Sequence, residues 1–255
     1  MSVSEGTKLP AVVLAGGSTL AAAALRTGAA HRAMVAVEGR PMLLRVTDAL
    51  AEAEGISSVI VVGNVPPNPN YRSVPDAGSL VDNVYAGLQA AGDAPYAIVA
   101  TCDTPFITPE VVDDFVARAI ALGADFVYPI VDVRLCRERF PGIRRTSVRL
   151  REGEFTGGNL VLVNPRAMAL QRERIQLAYS LRKSPARLAM VLGVGTITLF
   201  SLSLLLRRGL LSLPRLEHAV SQLMGCTARA VVVPHPEIAT DIDTEQDLAA
   251  IGAIP

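Results

Sequence analysis

The sequence predicts an α/β protein built on a mostly parallel, mixed sheet. Strand-length apolar runs alternate with amphipathic helix-length stretches through the first half of the chain, which is the pattern of βαβ units. Two of the apolar runs end on residues suited to chemistry. Val12-Val13-Leu14-Ala15 stops on Gly16-Gly17-Ser18, and Ala97 to Thr101 delivers Cys102-Asp103 to its carboxyl end. Beyond Ile130 the alternation yields to a hairpin-like pair, Ser147 to Leu150 and Phe155 to Val163, joined by Arg151-Glu152-Gly153-Glu154, and this makes the sheet mixed.

Each element has a local reason. After the glycine turn comes an alanine-rich stretch and then the short apolar run Met34 to Val37. Pro41 opens a helix in which Leu43, Val46 and Leu50 share a face, with proline in the first turn where its missing N–H costs nothing. Val59 to Val62 is a strand closed by Gly63, and the Pro- and Asn-rich segment Val65 to Pro75 is expected to be a loop. Ser79 to Ala90 reads as a helix. Thr108 and Pro109 cap another, with Val112, Phe115, Val116 and Ala119 facing inward and Gly123 as its stop. Phe126 to Ile130 is a further strand. Helices from Pro165 to Leu223, a strand from Ala230 to Val233 and a last helix from Thr244 complete the chain.

The 255 residues suffice for one large domain or two small ones. A single domain over 1–255 is expected, with a helical, apolar segment at about 165–224 inserted before the last strand. Lys plus Arg and Asp plus Glu are both 24. No global field therefore draws the molecule to nucleic acid or an anionic membrane, and an anionic ligand must be met locally. Lysine occurs only as Lys8 and Lys183, so the cations are nearly all arginines, which grip phosphate in a bidentate fork. The three cysteines, Cys102, Cys136 and Cys226, form no C-x-x-C pair, which argues against a disulfide framework and a zinc knuckle. The first ten residues lack the features of a signal peptide, so a cytoplasmic location is the default expectation. Ala189 to Leu206 carries no charge and, at roughly 18 residues, reaches the lower limit for a membrane span. Gly193, Gly195, Thr196 and Thr198 dilute it. The run is expected to be buried core or the interface of a homodimer, with a peripheral membrane contact as the other reading.

Glycine permits close backbone approach, and successive amides can form a concave anion site, so the Gly16-Gly17 turn suits the phosphates of a nucleotide. An ordinary strand-to-helix turn is the bland alternative. In open α/β sheets ligands bind beyond the carboxyl ends of strands, where Gly16 and Asp103 both fall. A carboxylate there suits a magnesium ion that neutralises a triphosphate, although Asp103-Thr104-Pro105 is also a respectable turn. Asp241 and Asp243 alternate around Ile242, so in an extended segment both carboxylates share a side while Ile242 points to the core. Asp241 is assigned to the metal and Asp243 to the cap of the last helix, with Thr244 as the competing cap. His31, His218 and His235 are scattered, and no serine or cysteine has a context that argues for nucleophilic activation.

In order along the chain, LAGGS, HRAMVAVEGRPML, GSLVDNVYAGL, CDTPFITPE, TGGNLVLVNP and ATDIDTEQDL give it a resemblance to the MobA-like nucleotidyltransferases. That group includes molybdenum-cofactor guanylyltransferases, sugar-phosphate nucleotidyltransferases and methylerythritol-phosphate cytidylyltransferases. The resemblance implies a three-layer α/β/α, Rossmann-like fold of the nucleotide-diphospho-sugar transferase type. It also implies magnesium-dependent transfer of a nucleoside monophosphate from an NTP to a small phosphorylated acceptor, with release of pyrophosphate. Ala15, Gly16, Gly17 and Ser18 would line the nucleotide, Gly78 and Asn83 would lie in the segment facing the base, and Gly158 and Asn159 would border the acceptor. Asp103 and Asp241 would hold the metal. Such proteins carry an arginine soon after the glycines and then a lysine. Here the loop continues Thr19-Leu20-Ala21-Ala22, and the two roles pass to Arg26 and Arg32. Arginine does not simply replace a lysine point charge, and for Arg26 a solvated helix surface is an equal reading. Arg134, Arg137, Arg139, Arg144, Arg145, Arg149 and Arg151 could clamp an acceptor phosphate, but for most of them a solvated face is expected. Two other readings remain: a nucleotide-sugar glycosyltransferase, disfavoured because Asp103-Thr104-Pro105 lacks a second acid, and a non-catalytic nucleotide-binding regulator.

Overall fold

The computed structural model describes residues 8–16, 29, 31–181 and 209–252. Its first half contains β1 (Leu9–Leu14), β2 (Ala36–Val37), β3 (Arg40–Pro41), α1 (Met42–Glu52), β4 (Ile56–Val62), β5 (Arg72–Val74), α2 (Leu80–Ala90), β6 (Ala97–Thr101) and α3 (Pro109–Ala121). There follow β7 (Phe126–Asp132), α4 (Val133–Arg139), β8 (Val148–Leu150), β9 (Gly153–Gly157), β10 (Leu160–Val163), α5 (Pro165–Leu170), α6 (Arg172–Leu181), α7 (Leu213–Met224), β11 (Ala228–Val232) and α8 (Glu245–Ala250).

Nine of these strands form one sheet in the order β5-β4-β1-β6-β10-β7-β9-β8, with β11 on the opposite edge of β7 from β9 and β10. β1, β4, β5 and β6 are mutually parallel, β7 and β11 run the same way, and β8 to β10 supply the antiparallel pairings. The period of two sorts side chains onto two faces. Ala11, Val13, Ile98 and Ala100 join Leu43 and Leu50 of α1 and Phe115 of α3 in one core. Val12, Ala97 and Val99 join Leu88 of α2, Met168 of α5 and Met224 of α7 in another. The architecture is thus the expected three-layer α/β/α arrangement on a mixed sheet.

Four boundaries differ from the sequence reading. Val65 to Pro75 is not all loop: Arg72–Val74 pairs in parallel with Ile60–Val62 as the edge strand β5, a tertiary pairing that overrides the turn-forming composition around it. The hairpin turn is tighter, because Leu150 already opposes Gly153. Phe155 to Val163 is two strands, broken at Gly158-Asn159, and the last sheet strand is Ala228–Val232 rather than Ala230 to Val233. Asp243 does not cap the last helix. Thr244 does, in a capping box with Asp247 that satisfies two amides reciprocally, something Asp243 cannot do from one residue further out.

The 189–206 run lies outside the described residues, as do Gly17, Ser18 and Arg26. Among the described residues no helix is long and apolar enough to cross a membrane.

A third, smaller core bears directly on the site. Val35 and Val37 flanking and within β2, Met42, Phe140, Ile143, Ile242 and Leu248 pack together, so three distant pieces of chain meet on one patch. Each piece carries charge beside its apolar anchors: Arg32 on the first, Arg145 on the second, and Asp241 and Asp243 on the third.

Candidate functional site

Leu14, Thr101 and Asn159 meet at the edge of the sheet where the parallel strands end. Ala15 N–H donates to Val62 O at 2.8 Å, Cys102 N–H to Leu14 O at 3.2 Å, and Thr101 N–H to Asn159 O at 3.2 Å. Ala15 and Gly16 therefore sit between the ends of β4 and β6. Gly63 makes that position attainable. A Cβ there would lie 2.3 Å from Ala15 O, and the residue has φ +155°. Gly87 does the same for the layer above, since a Cβ would lie 2.2 Å from Val12 Cγ1, so α2 is drawn down onto β1.

α2 begins with Ser79, whose hydroxyl accepts the Asp82 N–H. Asn83, on its first turn, is buried and fully engaged. Its Oδ1 accepts the Ala77 N–H at 2.7 Å, and its Nδ2 donates to Asp76 Oδ1 at 3.0 Å, which also accepts the Gly78 N–H at 2.9 Å. Asn83 thus shapes the Asp76–Ser79 loop, whose Gly78 has φ +90°. This loop, Gly16, His31, Arg32, Thr101 and Asp103 line a cavity of about 270 Å³.

Asp103 emerges after β6 and is largely shielded. Its Oδ1 accepts the Thr101 hydroxyl at 2.5 Å and its Oδ2 accepts Arg32 Nη2 at 2.9 Å. The same Nη2 pairs with Asp243 and approaches Ile242 O at 3.4 Å. Backbone joins the two acidic segments, with Ile242 N–H donating to Asp103 O at 2.9 Å. Ile242 is buried, as its alternation with the acids requires. Asp241 pairs with Arg145 instead of turning to Asp103. Burial lowers the pKa of Arg145 below the ordinary arginine value, against opposing carboxylates and the Tyr128 phenol. The Nε atoms of Arg32 and Arg145 are buried and, among the described residues, make no hydrogen bond.

On the other side of the Arg32–Asp103–Asp243 partition lies a second cavity of about 760 Å³, bordered at this end by Arg144, Arg145, Asn159, Asp241 and Asp243. Gly158 and Asn159 form its corner. The pairing register of β9–β10 against β7 slips at them, so that Gly158 N–H reaches Pro129 O and Asn159 N–H reaches Ile238 O, both at 2.9 Å. A Cβ on Gly158 would meet Ile238 Cγ2 at 2.4 Å. Asn159 Nδ2 is buried without a hydrogen-bond partner.

The structure therefore brings together Ala15, Gly16, Arg32, Gly78, Asn83, Asp103, Asn159 and Asp241, with Gly158 one residue behind. His31 escaped the sequence reading, and Arg145 was named there only within the cluster that could clamp an acceptor phosphate. Arg145 belonged to a cluster expected to be solvated, and that expectation holds for exposed Arg134, Arg137 and Arg149, which pair with Asp132 or Glu154. Its adjacency to Ile143 of the small core was the available signal. His31 caps the 3₁₀ turn Arg32–Met34, its Nδ1 accepting the Ala33 N–H at 3.1 Å, which leaves Nε2 to carry the proton in the neutral ring. Cys102 is not a nucleophile: burial, aided by Asp103, pushes its thiol up to about 12.

Among the described residues no cluster of three or more acid, histidine or cysteine side chains could hold a metal. Magnesium needs fewer protein ligands. It is bound through one or two carboxylates, with phosphate oxygens and waters completing its shell. Asp103 and Asp241, on hydrogen-bonded neighbouring segments, fit that donor set, with Arg32 and Arg145 standing against them.

A family model described as the MobA-like NTP transferase domain matches residues 11–189. A hypothetical transferase from Thermus thermophilus is 37% identical, with a TM-score of 0.83, over 95% of this chain and 100% of that one. A 4-diphosphocytidyl-2C-methyl-D-erythritol synthase from Anaerococcus prevotii shares the fold at 13% identity and a TM-score of 0.57, over 98% and 96% of the two chains. A nucleotidyl transferase from Methanothermobacter shares it at 15% identity and 0.53, over 96% of each. No curated protein matches. Family match and fold agree: the chain belongs to the MobA-like NTP transferase family, whose reaction is NTP-dependent nucleotidyl transfer.

Proposed function

We propose that the protein is a magnesium-dependent nucleotidyltransferase that moves a nucleoside monophosphate from an NTP to a small phosphorylated acceptor and releases pyrophosphate. The observation that carries this reading is the pair of cavities meeting at the Arg32–Asp103–Asp243 partition. The smaller takes the nucleotide, with its phosphates at Gly16 and its base beside Gly78 and the loop braced by Asn83. The larger takes the acceptor, with its phosphate near Asn159, Arg144 and Arg145. An oxygen of the acceptor phosphate attacks the α-phosphorus in line. One P–O bond forms, the bond to the bridging α–β oxygen breaks, and pyrophosphate leaves with the electron pair. A phosphate dianion needs no base to activate it, so the protein's task is positioning and charge stabilisation.

Arg32 supports both. Its place between the cavities suits it to the charge that develops on the departing pyrophosphate. Asp103 and Asp241 would hold magnesium, which supplies charge neutralisation on the triphosphate.

Thermal shifts with ATP, CTP, GTP and UTP in the presence of magnesium identify the nucleotide, because a ligand that binds only the folded state raises its stability. Asp103→Ala is expected to abolish the magnesium-dependent part of that shift; an undiminished shift would place the metal elsewhere. Pyrophosphate release with NTP and a phosphate acceptor separates the transferase from a glycosyltransferase or a non-catalytic regulator, neither of which produces it.

A further inference from the structure

The larger cavity is amphipathic in a way that a polyhydroxylated acceptor would not use. Its floor is one face of the sheet: Phe126, Tyr128 and Ile130 of β7, spaced by two, with Phe155 of β9 and Leu150 of β8 beyond them. Its roof is a stripe of α7, Leu213, Leu216, Val220 and Leu223, at the spacing that puts side chains on one helix face. Elsewhere such a stripe closes on the sheet. Here, among the described residues, about 760 Å³ stays open between them. A concave, mostly apolar cleft of this size with a few convergent polar groups is the usual form of a small-molecule site.

The polar groups of the cavity divide into two sets. Glu217 is already engaged, its carboxylate accepting the Ala230 N–H at 2.7 Å, and the Arg229 guanidinium donates to Ala228 O at 3.1 Å. The open ones gather at the end that adjoins the partition. Asn159 Nδ2 and Arg145 Nε lack acceptors, and among the described residues Arg144 makes no salt bridge. Burial within the cavity also raises the pKa of Tyr128, keeping its phenol protonated as a donor. The two carboxylates at this end, Asp241 and Asp243, are paired with Arg145 and Arg32, so polar groups dominated by donors at one end and hydrocarbon along the rest describe a ligand with an anionic head and an apolar body.

Resting on the proposed transferase reading, we infer that the acceptor is a phosphate monoester of an apolar alcohol: its phosphate lies at Arg144, Arg145 and Asn159, and its hydrocarbon body fills the space between the β7–β9 face and α7.

The test is binding, independent of turnover. Hexyl, octyl and decyl monophosphate, each below its micelle concentration, are titrated calorimetrically into the full chain alongside glucose 6-phosphate and octanol. Each methylene moved from water into an apolar site is worth about 0.8 kcal/mol, so affinity is expected to rise about fourfold per methylene along the series. The alkyl phosphates should exceed the sugar phosphate by far more than tenfold. Leu216→Trp, which narrows the cavity, should weaken the chain-length dependence, and Arg144→Ala should reduce the advantage of octyl phosphate over octanol. Circular dichroism and melting curves establish that both variants fold. A flat chain-length series in the wild type, parity with glucose 6-phosphate, or octanol binding as tightly as octyl phosphate would each overturn the inference. Alkyl phosphate binding without any NTP-induced thermal shift would uphold this site while removing the transferase reading, so the two failures are distinguishable.

Discussion

Gly63 has no side chain to offer the site, yet the site depends on it. Its backbone lies against Ala15 and Gly16, and at φ +155° only glycine is comfortable. Gly63→Ala would press a methyl into the Ala15 carbonyl, a backbone atom that cannot swing aside. Overpacking of this kind costs about 1–3 kcal/mol. The expected result is a lower midpoint in urea together with a diminished nucleotide thermal shift; a variant with lowered stability and a full shift would show that the cradle tolerates displacement. Residues of this kind were legible in part. Gly16 and Asp103 stood out because each ends an apolar run, a purely local cue. Gly63 was visible as a strand stop but not as a support, because its partner comes from another strand. Arg145 was hidden for the same reason: within its own segment it is one arginine of seven, and only contact with Asp241, almost a hundred residues away, sets it apart.

The elements that sequence patterns located best were β1, β4, β6 and α1 to α3, where buried strands and capped helices carry strong local signals. The β8–β10 region was read less well. A nine-residue run looked like one strand because nothing local marks Gly158-Asn159 as a break; the break arises from what those residues meet, Ile238 and Pro129. The hairpin that leads into it is held by Glu154, which accepts from Ser147 at 2.5 Å and from Arg149 at 3.2 Å and also pairs with Arg137. The Ser147 hydroxyl first, then the arginines, hold the Glu154 carboxyl below its ordinary value. A depressed carboxylate contributes stability that is fully present above the unfolded value of about 4.3 and is lost as pH falls through the folded one. The protection of β8 and β9 amides, taken relative to the intrinsic exchange rate at each pH, is therefore expected to fall as the solution is acidified below about pH 4.3. Glu154→Gln should flatten that dependence at a cost of about 1 kcal/mol or less at neutral pH, because its partners are solvated. An identical acid profile in the variant would assign the hairpin's stability to packing alone.

At the scale of the whole molecule, the site is a meeting of distant segments around one small core. Val35, Ile143, Ile242 and Leu248 anchor the pieces that carry Arg32, Arg145, Asp241 and Asp243, and β6 delivers Asp103 to the same point. Arg32 neutralises Asp103 and Asp243 together, so it occupies ground that a divalent cation would also favour. Its removal should therefore change two ligands in opposite directions. In Arg32→Gln the carboxylates lose their cation and face one another, and the charge that attracts magnesium grows. Magnesium alone should then stabilise the variant more than the wild type. The magnesium–nucleotide complex should stabilise it less, because a phosphate-facing guanidinium is gone. Thermal shifts with magnesium chloride alone, with the preferred NTP alone and with both resolve the two effects, and calcium serves as a second cation against a purely ionic-strength response. A variant whose shift with magnesium alone does not exceed that of the wild type would mean that freeing Asp103 from Arg32 adds no cation binding, leaving Arg32 as the permanent counter-ion of Asp103 and Asp243.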